Sequence, residues 1–193
     1  MGYMNGKNKR FSNLEGERIE LIKVNKQGLD DMHEYSKNPK FYKYMEYDVF
    51  KSRNETRKYL NRIIELTNSD SDYFWFIKLK SEKKNIGTIA IRDINQWRNS
   101  AYLGYGLSPN YWKKGYFSES LKLVLNHLFS DLDFHRISIK TQDTNNSSIK
   151  AVIKAGFKKE GILRESLRSS KNKRVNEVIF GMLKKEFLKK YGN

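Results

Sequence analysis

The most informative part of the sequence runs from residue 101 to residue 118 and reads AYLGYGLSPNYWKKGYFS. Its first seven residues, Ala101 to Leu107, are typical of a strand. Gly104 and Gly106 interrupt that strand, and glycine weakens a regular strand, so the pair indicates a bulge or a close approach of another backbone. Pro109 then marks a turn that ends the strand.

A glycine loop follows the turn. Gly115 precedes a predicted amphipathic helix from about residue 118 to residue 129, whose apolar positions follow helical spacing. A glycine loop before a helix presents unpaired backbone amides and the positive end of the helix dipole, and this geometry binds phosphate. Lys113 and Lys114 add positive charge beside the loop. The alternative is a solvated turn, because a lysine-glycine pair before a helix is common.

A second motif lies downstream, where residues 143–149 read DTNNSSI. They open a short predicted helix, Asn146 to Ala155, which ends at Gly156. Asn145 is placed to cap this helix, and Ser148 would lie in its first turn. The residues alone therefore assign both side chains structural roles.

The rest of the chain alternates between strand and helix patterns without a repeat or a linker. We predict a flexible basic tail over residues 1–14 and one domain over residues 15–193. The fold class is α+β, with a mixed central sheet of about seven strands flanked by helices. The strands are predicted at residues 17–24, 73–79, 86–91, 101–107, 135–141, 157–167 and 174–183, and further helices lie within residues 29–45 and after Ser52.

The two motifs, taken as one spaced set, resemble the GNAT acetyltransferases. Within that family they resemble the RimJ/RimL-type branch, which includes the ribosomal-protein-alanine N-acetyltransferases. The resemblance covers residues 17–187 and is strongest from 101 to 165. It rests on Leu103-Gly104-Tyr105, Tyr111-Trp112, Gly115-Tyr116, Glu119, His135-Arg136, Asn145, Ser148, Gly156-Phe157, Glu160-Gly161 and Leu163-Arg164-Glu165.

The resemblance implies a cofactor, acetyl-CoA, and a set of residues that bind it. The amides of residues 114–118 would hold the pyrophosphate, and the pantetheine arm would bond the backbone near Tyr105 to Leu107 as an extra strand. Asn145 would bond the arm, and Ser148 would protonate the leaving thiolate. The implied cofactor-binding residues are Tyr105, Leu107, Lys113, Lys114, Gly115, Tyr116, Phe117, Ser118, Asn145 and Ser148.

The implied reaction is direct attack of a neutral amine on the thioester, which requires a proton acceptor. Many relatives carry glutamate where this chain has Tyr102, and an unperturbed tyrosine is a poor base. Glu165 is the carboxylate that the resemblance offers, and a water chain is the alternative. The implied catalytic residues are therefore Ser148 and Glu165. Four aromatic residues either line the acceptor pocket or pack beneath the helices: Tyr42, Tyr44, Tyr47 and Phe50.

Composition limits the chemistry. The chain has no cysteine, so a disulfide, a thiol nucleophile and a zinc–thiolate site are excluded. Its three histidines lie in separate elements without ligand spacing, so we expect no metal site. No apolar run approaches the roughly 20 residues that span a bilayer, and we expect a cytoplasmic protein that does not engage a membrane.

The formal net charge is +16, which attracts polyanions. This charge could bind nucleic acid or the ribosome, or attract an anionic cofactor or an acidic acceptor. It could also be dispersed over solvated faces without serving a partner.

The sequence leaves two classes of acceptor open: a protein N-terminus, and a small amine such as an antibiotic, a polyamine or an amino acid derivative. A non-catalytic GNAT domain that binds RNA is the third reading. Basic residues near the last hairpin, Lys171, Lys173 and Arg174, could admit an acidic peptide. Either a monomer or a homodimer fits the sequence.

Overall fold

A computed structural model describes residues 12–69, 71–169 and 172–192. Its strands are β1 (Leu14–Glu15), β2 (Ile19–Lys23), β3 (Tyr73–Leu79), β4 (Lys84–Asn95), β5 (Ser100–Leu107), β6 (Arg136–Gln142), β7 (Lys158–Arg168) and β8 (Arg174–Leu183). Its helices are α1 (Leu29–Ser36), α2 (Arg53–Asn68), α3 (Tyr116–Asn126), α4 (Asn146–Ala155) and α5 (Lys184–Tyr191).

The strands form one sheet in the order β1-β2-β3-β4-β5-β6-β8-β7. Every neighbouring pair is antiparallel except β5 and β6, which run parallel. This parallel pairing is short, because it covers only the four pairs from Ser100↔Arg136 to Leu103↔Ile139. Beyond it, residues 104–107 remain paired with β4, and residues 140–142 remain paired with β8. We call the space between these two segments the β5–β6 gap.

The sheet is covered on both faces. One core joins the sheet to α3, α4 and α5, and the other joins it to α1 and α2. The sequence of β3 is almost continuously apolar because both of its faces are buried. Trp75 and Ile77 lie in the first core, whereas Phe74 and Phe76 lie in the second. A strand buried on both faces has no need for polar alternation.

Most of the sequence-based predictions of fold are confirmed. The α+β class is correct, and all seven predicted strands are present. The sheet has eight strands rather than seven, because β1 has only two residues, too few for a pattern. The prediction also omitted α5. Residues 1–11 of the predicted tail, and Lys171 of the last hairpin, lie outside the described residues, while Leu14 belongs to β1.

The two glycines of β5 have different surroundings. The β4–β5 register is regular across both of them, so of the two predicted alternatives, a bulge and a close approach, the bulge is wrong. At Gly106 an added Cβ would lie 2.8 Å from Phe41 Cζ and 3.0 Å from Met45 Cε. Glycine at this position therefore lets the segment between α1 and α2 lie directly against the sheet beside the β5–β6 gap.

None of the helices in the three described ranges is both long and apolar enough to cross a membrane.

Candidate functional site

The glycine loop forms the start of α3. Gly115 adopts a left-handed conformation with φ of 84°, which a residue with a Cβ adopts with strain. Gly115 has no side chain to cap the helix, and the first intrahelical bond runs from the Glu119 amide to the Gly115 carbonyl at 3.1 Å. The amides of residues 116–118 are therefore available to an external acceptor, together with the positive end of the helix dipole.

Arg18, the residue just before β2, holds this loop in place. Its Nε donates to Glu119 Oε2 at 2.9 Å, and one terminal nitrogen donates to the Lys114 carbonyl at 3.0 Å. The guanidinium also lies 4.8 Å from the centre of the Tyr116 ring. Sequence reasoning missed Arg18, because it is 101 residues away from Glu119 and belongs to no local motif.

The edge of β5 that faces the gap is the second element of the site. An unpaired strand edge offers N–H and C=O groups to any extended chain placed beside it. The Leu107 carbonyl is already engaged, since it accepts a hydrogen bond from Trp112 Nε1 at 2.7 Å. The Ser108 amide donates to the Ile86 carbonyl of β4 at 2.8 Å, so by alternation Gly104 and Gly106 also bond to β4. The backbone groups open to a ligand therefore include those of Tyr105, a residue of the predicted set.

Side chains from three elements meet at Tyr105. Its ring stacks on Phe117 of α3, with centroids 3.9 Å apart and planes inclined by 30°. Its hydroxyl shares a short hydrogen bond with Ser148 Oγ of α4. Burial raises the pKa of Tyr105 to about 12, so the phenol is protonated at neutral pH. Two residues chosen from separate motifs, Tyr105 and Ser148, are thus in direct contact.

Asn145 caps α4, as its position in the sequence indicates. Its Oδ1 accepts from the Ser148 amide at 3.3 Å, and its Nδ2 donates to Thr141 Oγ1 at 3.2 Å. The side chain lies where β6 leaves the sheet and α4 begins. A contact with a cofactor stays a prediction.

Glu165 lies on β7, the outer strand of the sheet, and β6 and β8 separate it from β5. It is exposed, its φ is 51°, and its amide donates to Asn176 Oδ1 at 3.0 Å within an irregular part of the β7–β8 register. Sequence reasoning missed another carboxylate, Glu177 on β8, which lies one strand nearer to β5. The catalytic role predicted for Glu165 stays a prediction.

The aromatic residues between α1 and α2 mostly pack against one another. Tyr42 is buried, and its ring centroid lies 5.1 Å from that of Phe41 and 5.7 Å from that of Phe50. Tyr47 is half-exposed, with its ring centroid 6.3 Å from that of Tyr59. Tyr42 and Phe50 therefore contribute to packing, the second of the two roles considered for them.

A strand edge that opens beside an uncapped helix N-terminus offers backbone groups to an extended chain and free amides to an anion. Comparison with known proteins identifies the family, because residues 18–158 match the acetyltransferase (GNAT) domain. The uncharacterised N-acetyltransferase p20 of Bacillus licheniformis is 30% identical over 174 residues, which is 90% of this chain and 97% of the relative. The ribosomal-protein-serine acetyltransferase of Escherichia coli is 25% identical over 115 residues, 60% of this chain and 63% of the relative.

Solved structures share the fold. RimL, a ribosomal L7/L12 α-N-protein acetyltransferase in complex with coenzyme A, superposes with a TM-score of 0.81 at 20% identity. The match covers 89% of this chain and 98% of that chain. The chain belongs to the GNAT acetyltransferase family, as the sequence motifs indicate. It is an acetyltransferase, and acetyl-CoA is its cosubstrate.

Two substitutions at Asn145 separate capping from cofactor binding. Asn145→Ala is expected to lower the free energy of unfolding by about 1 kcal/mol, because alanine cannot cap a helix, whereas Asn145→Ser should keep the cap at little cost. If the carboxamide bonds acetyl-CoA, both variants should weaken its binding in calorimetric titrations. A serine variant that binds acetyl-CoA as tightly as the wild type would restrict Asn145 to its capping role.

Proposed function

We propose that this acetyltransferase acetylates the α-amine of a protein N-terminus. The observation that carries the acetyl-CoA site is the β5–β6 gap next to the uncapped start of α3. Two related proteins, the ribosomal-protein-serine acetyltransferase and RimL, act on ribosomal proteins. Their acceptors support a protein N-terminus as the acceptor class.

The phosphates of acetyl-CoA have a suitable partner in α3. The free amides of residues 116–118 and the helix dipole favour an anion. Glycine at position 115 leaves room for the Arg18 guanidinium, since an added Cβ would lie 3.2 Å from one of its terminal nitrogens. Lys113 and Lys114 are exposed beside the loop and add positive charge. Arg18 is a positioning residue in this proposal, since it holds the Lys114 carbonyl and Glu119 away from the anion.

The pantetheine arm would lie along the free edge of β5. That arm carries two amide groups, and amides pair with a strand edge in the way that an added strand does. Tyr105, whose backbone groups point away from β4, provides the groups that the arm would pair with. Asn145, at the opposite side of the gap, provides a carboxamide next to the same path.

Acetyl-CoA supplies an activated acetyl group. The amine nitrogen bonds to the carbonyl carbon, the carbon–sulfur bond breaks, and the sulfur takes a proton and leaves as coenzyme A thiol. An acceptor that enters as an ammonium group loses two protons in this reaction. One balances the proton that the sulfur takes up, and the other passes to solvent. A backbone amide of the β5 edge stabilises the negative charge that develops on the carbonyl oxygen.

Ser148 and Tyr105 form the proton donor in this proposal. Ser148 Oγ is buried and shares its hydrogen bond with the Tyr105 hydroxyl. Because the pKa of Tyr105 is raised to about 12, its phenol keeps its proton and can replace the one that Ser148 gives to sulfur. The stack on Phe117 fixes the direction of the phenol.

The experiment that tests the function begins with a calorimetric titration of acetyl-CoA into the purified protein. Thiol release is then followed with a panel of peptides with free N-termini, polyamines, aminoglycosides and amino acid derivatives. We expect binding of acetyl-CoA, and thiol release with the peptides.

Other outcomes contradict particular parts of the proposal. Release only with a small amine would replace the protein N-terminus as acceptor. Binding without release from any amine, combined with salt-sensitive binding of RNA, would favour a non-catalytic role for the basic surface. Absence of acetyl-CoA binding would remove the proposed site.

Conservative substitutions test the proton donor. Ser148→Ala is expected to lower kcat about 100-fold, in the range found for general acid catalysis, with little change in the dissociation constant of acetyl-CoA. Tyr105→Phe keeps the stack on Phe117 and removes only the hydroxyl, so it should lower kcat in the same direction. A normal kcat in both variants, with only the unfolding free energy altered, would show that the hydrogen bond serves packing alone.

A further inference from the structure

The gap has a second face, which the proposed cofactor site leaves unused. Side chains alternate along a strand, so Tyr102, Gly104 and Gly106 share the face of β5 on which Phe41 and Met45 approach Gly106. Tyr102 pairs with Ser138 of β6 in the parallel register, so Ser138 lies on the same face. Lys140 and Gln142 follow it at alternate positions and lie on this face too. This face looks toward α1 and α2, opposite to the face that carries Phe117 and Ser148.

Cross-strand pairing adds a carboxylate to this face. Gln142 is directly opposite Glu177 on β8, so their side chains project to the same side. Lys140 of β6 approaches side chains of both neighbouring strands. Its Nζ lies 4.6 Å from the centre of the Tyr102 ring on β5 and 4.0 Å from Glu177 Oε2 on β8. Together, Tyr102, Lys140, Gln142 and Glu177 are called the polar patch below.

Glu177 is nearly buried, with 9% of its surface exposed. The Lys140 ammonium is too distant for a hydrogen bond with it. Burial raises the pKa of Glu177, the charge of Lys140 opposes that rise, and the neighbouring Glu46 adds to it. A carboxylate in this setting is more basic than an exposed one and attracts a cation.

Gln142 provides an independent observation. Only 3% of its surface is exposed, and its Nε2 makes no hydrogen bond with any part of the chain that the structure describes. A buried amide donor is costly to leave unsatisfied, and most such groups in folded proteins have a partner. A ligand that brings an acceptor atom to Gln142 would supply that partner.

We propose that Glu177 and Gln142 form the subsite that recognises the α-amine of the acceptor together with its adjoining carbonyl group. Glu177 binds the ammonium and takes one of its protons, and Gln142 Nε2 donates to the carbonyl oxygen of the first residue. This inference rests on the proposed acetylation of an N-terminus and assigns the residues that select it.

The chemistry of the two groups matches that of a peptide N-terminus. The amine nitrogen and the carbonyl oxygen of one residue are about 3 Å apart, since a single Cα and a carbonyl carbon join them. Directly opposed side chains on neighbouring strands, with Cβ atoms about 5 Å apart, can contact both atoms at once. A lysine ε-amine or a polyamine has the cation without the neighbouring carbonyl, so it would leave Gln142 unsatisfied.

The route of the acceptor explains why the patch lies on this face. The proposed path of acetyl-CoA follows the face of α3 and α4, and a gap between strands is open to both faces. An amine held by Glu177 enters from the face of α1 and α2. The charge of Lys140 favours the ionised form of Glu177, in opposition to burial, and the proton taken by Glu177 later passes to solvent.

Two acceptor peptides of identical sequence, each containing one lysine, test the subsite. In one the lysine side chain is acetylated, so only the α-amine is free; in the other the N-terminus is acetylated, so only the ε-amine is free. The wild type is expected to acetylate the first peptide with the higher kcat/KM. Gln142→Leu removes the donor at similar volume and should lower kcat/KM for the first peptide about tenfold, the effect of one hydrogen bond.

Glu177→Gln keeps the shape and removes the base. It should lower kcat about 100-fold and abolish the fall in kcat that the wild type shows as the pH drops through the pKa of Glu177. Glu65→Gln removes the same charge from the exposed surface of α2 and is the matched control. Acetyl-CoA affinity and unfolding free energy are measured for all variants, because a purely structural effect would alter them without changing the pH profile.

The outcomes separate this inference from the proposed function. If the wild type acetylates the α-amine and both patch variants retain its kcat/KM and pH profile, the subsite is wrong while the proposed function stands. If the wild type prefers the ε-amine or acetylates neither peptide, the proposal of an N-terminal acceptor is wrong, and the proposed subsite is wrong as well.

Discussion

The parallel pairing of β5 with β6 ends after four residue pairs, and the rest of the site depends on that ending. Each strand continues, held by its other neighbour: β4 supports residues 104–107, and β8 supports residues 140–142. The gap therefore lies between two segments that each remain hydrogen-bonded to the other neighbouring strand. It exposes backbone groups of β5 without a loose loop, and preorganised backbone groups can stabilise developing charge without rearrangement.

The two faces of the sheet beside the gap carry different parts of the proposed reaction. On one face, Tyr105 links β5 to Phe117 of α3 and to Ser148 of α4, beside the free amides of the α3 start. On the other face, Glu177 and Gln142 lie beside the segment that Gly106 allows to approach. The proposed proton donor and proton acceptor thus lie on opposite sides of one opening, which suits a reaction that protonates sulfur and deprotonates nitrogen.

Local sequence patterns predicted the parts of this arrangement that are local in origin. β3 and α4 were recognised by composition and spacing, and the Gly115 loop by the geometry that glycine permits. The pairing of Tyr105 with Ser148 joins residues 43 positions apart, and the link from Arg18 to Glu119 spans 101, so no local pattern contains them. Glu177 was missed for a related reason: a carboxylate in a strand is usually exposed, and its burial follows from the order β6-β8-β7, which the sequence alone did not reveal.

Amide hydrogen exchange, followed residue by residue with and without acetyl-CoA, tests the central claim most directly. In an antiparallel pair alternate amides point away from the partner strand, so some amides of residues 104–107 face the gap. We expect these amides, and those of residues 116–118, to exchange rapidly in the free protein and to become protected when acetyl-CoA binds. Binding of acetyl-CoA that leaves exchange at both segments unchanged would contradict the proposal that the gap and the start of α3 hold the cosubstrate.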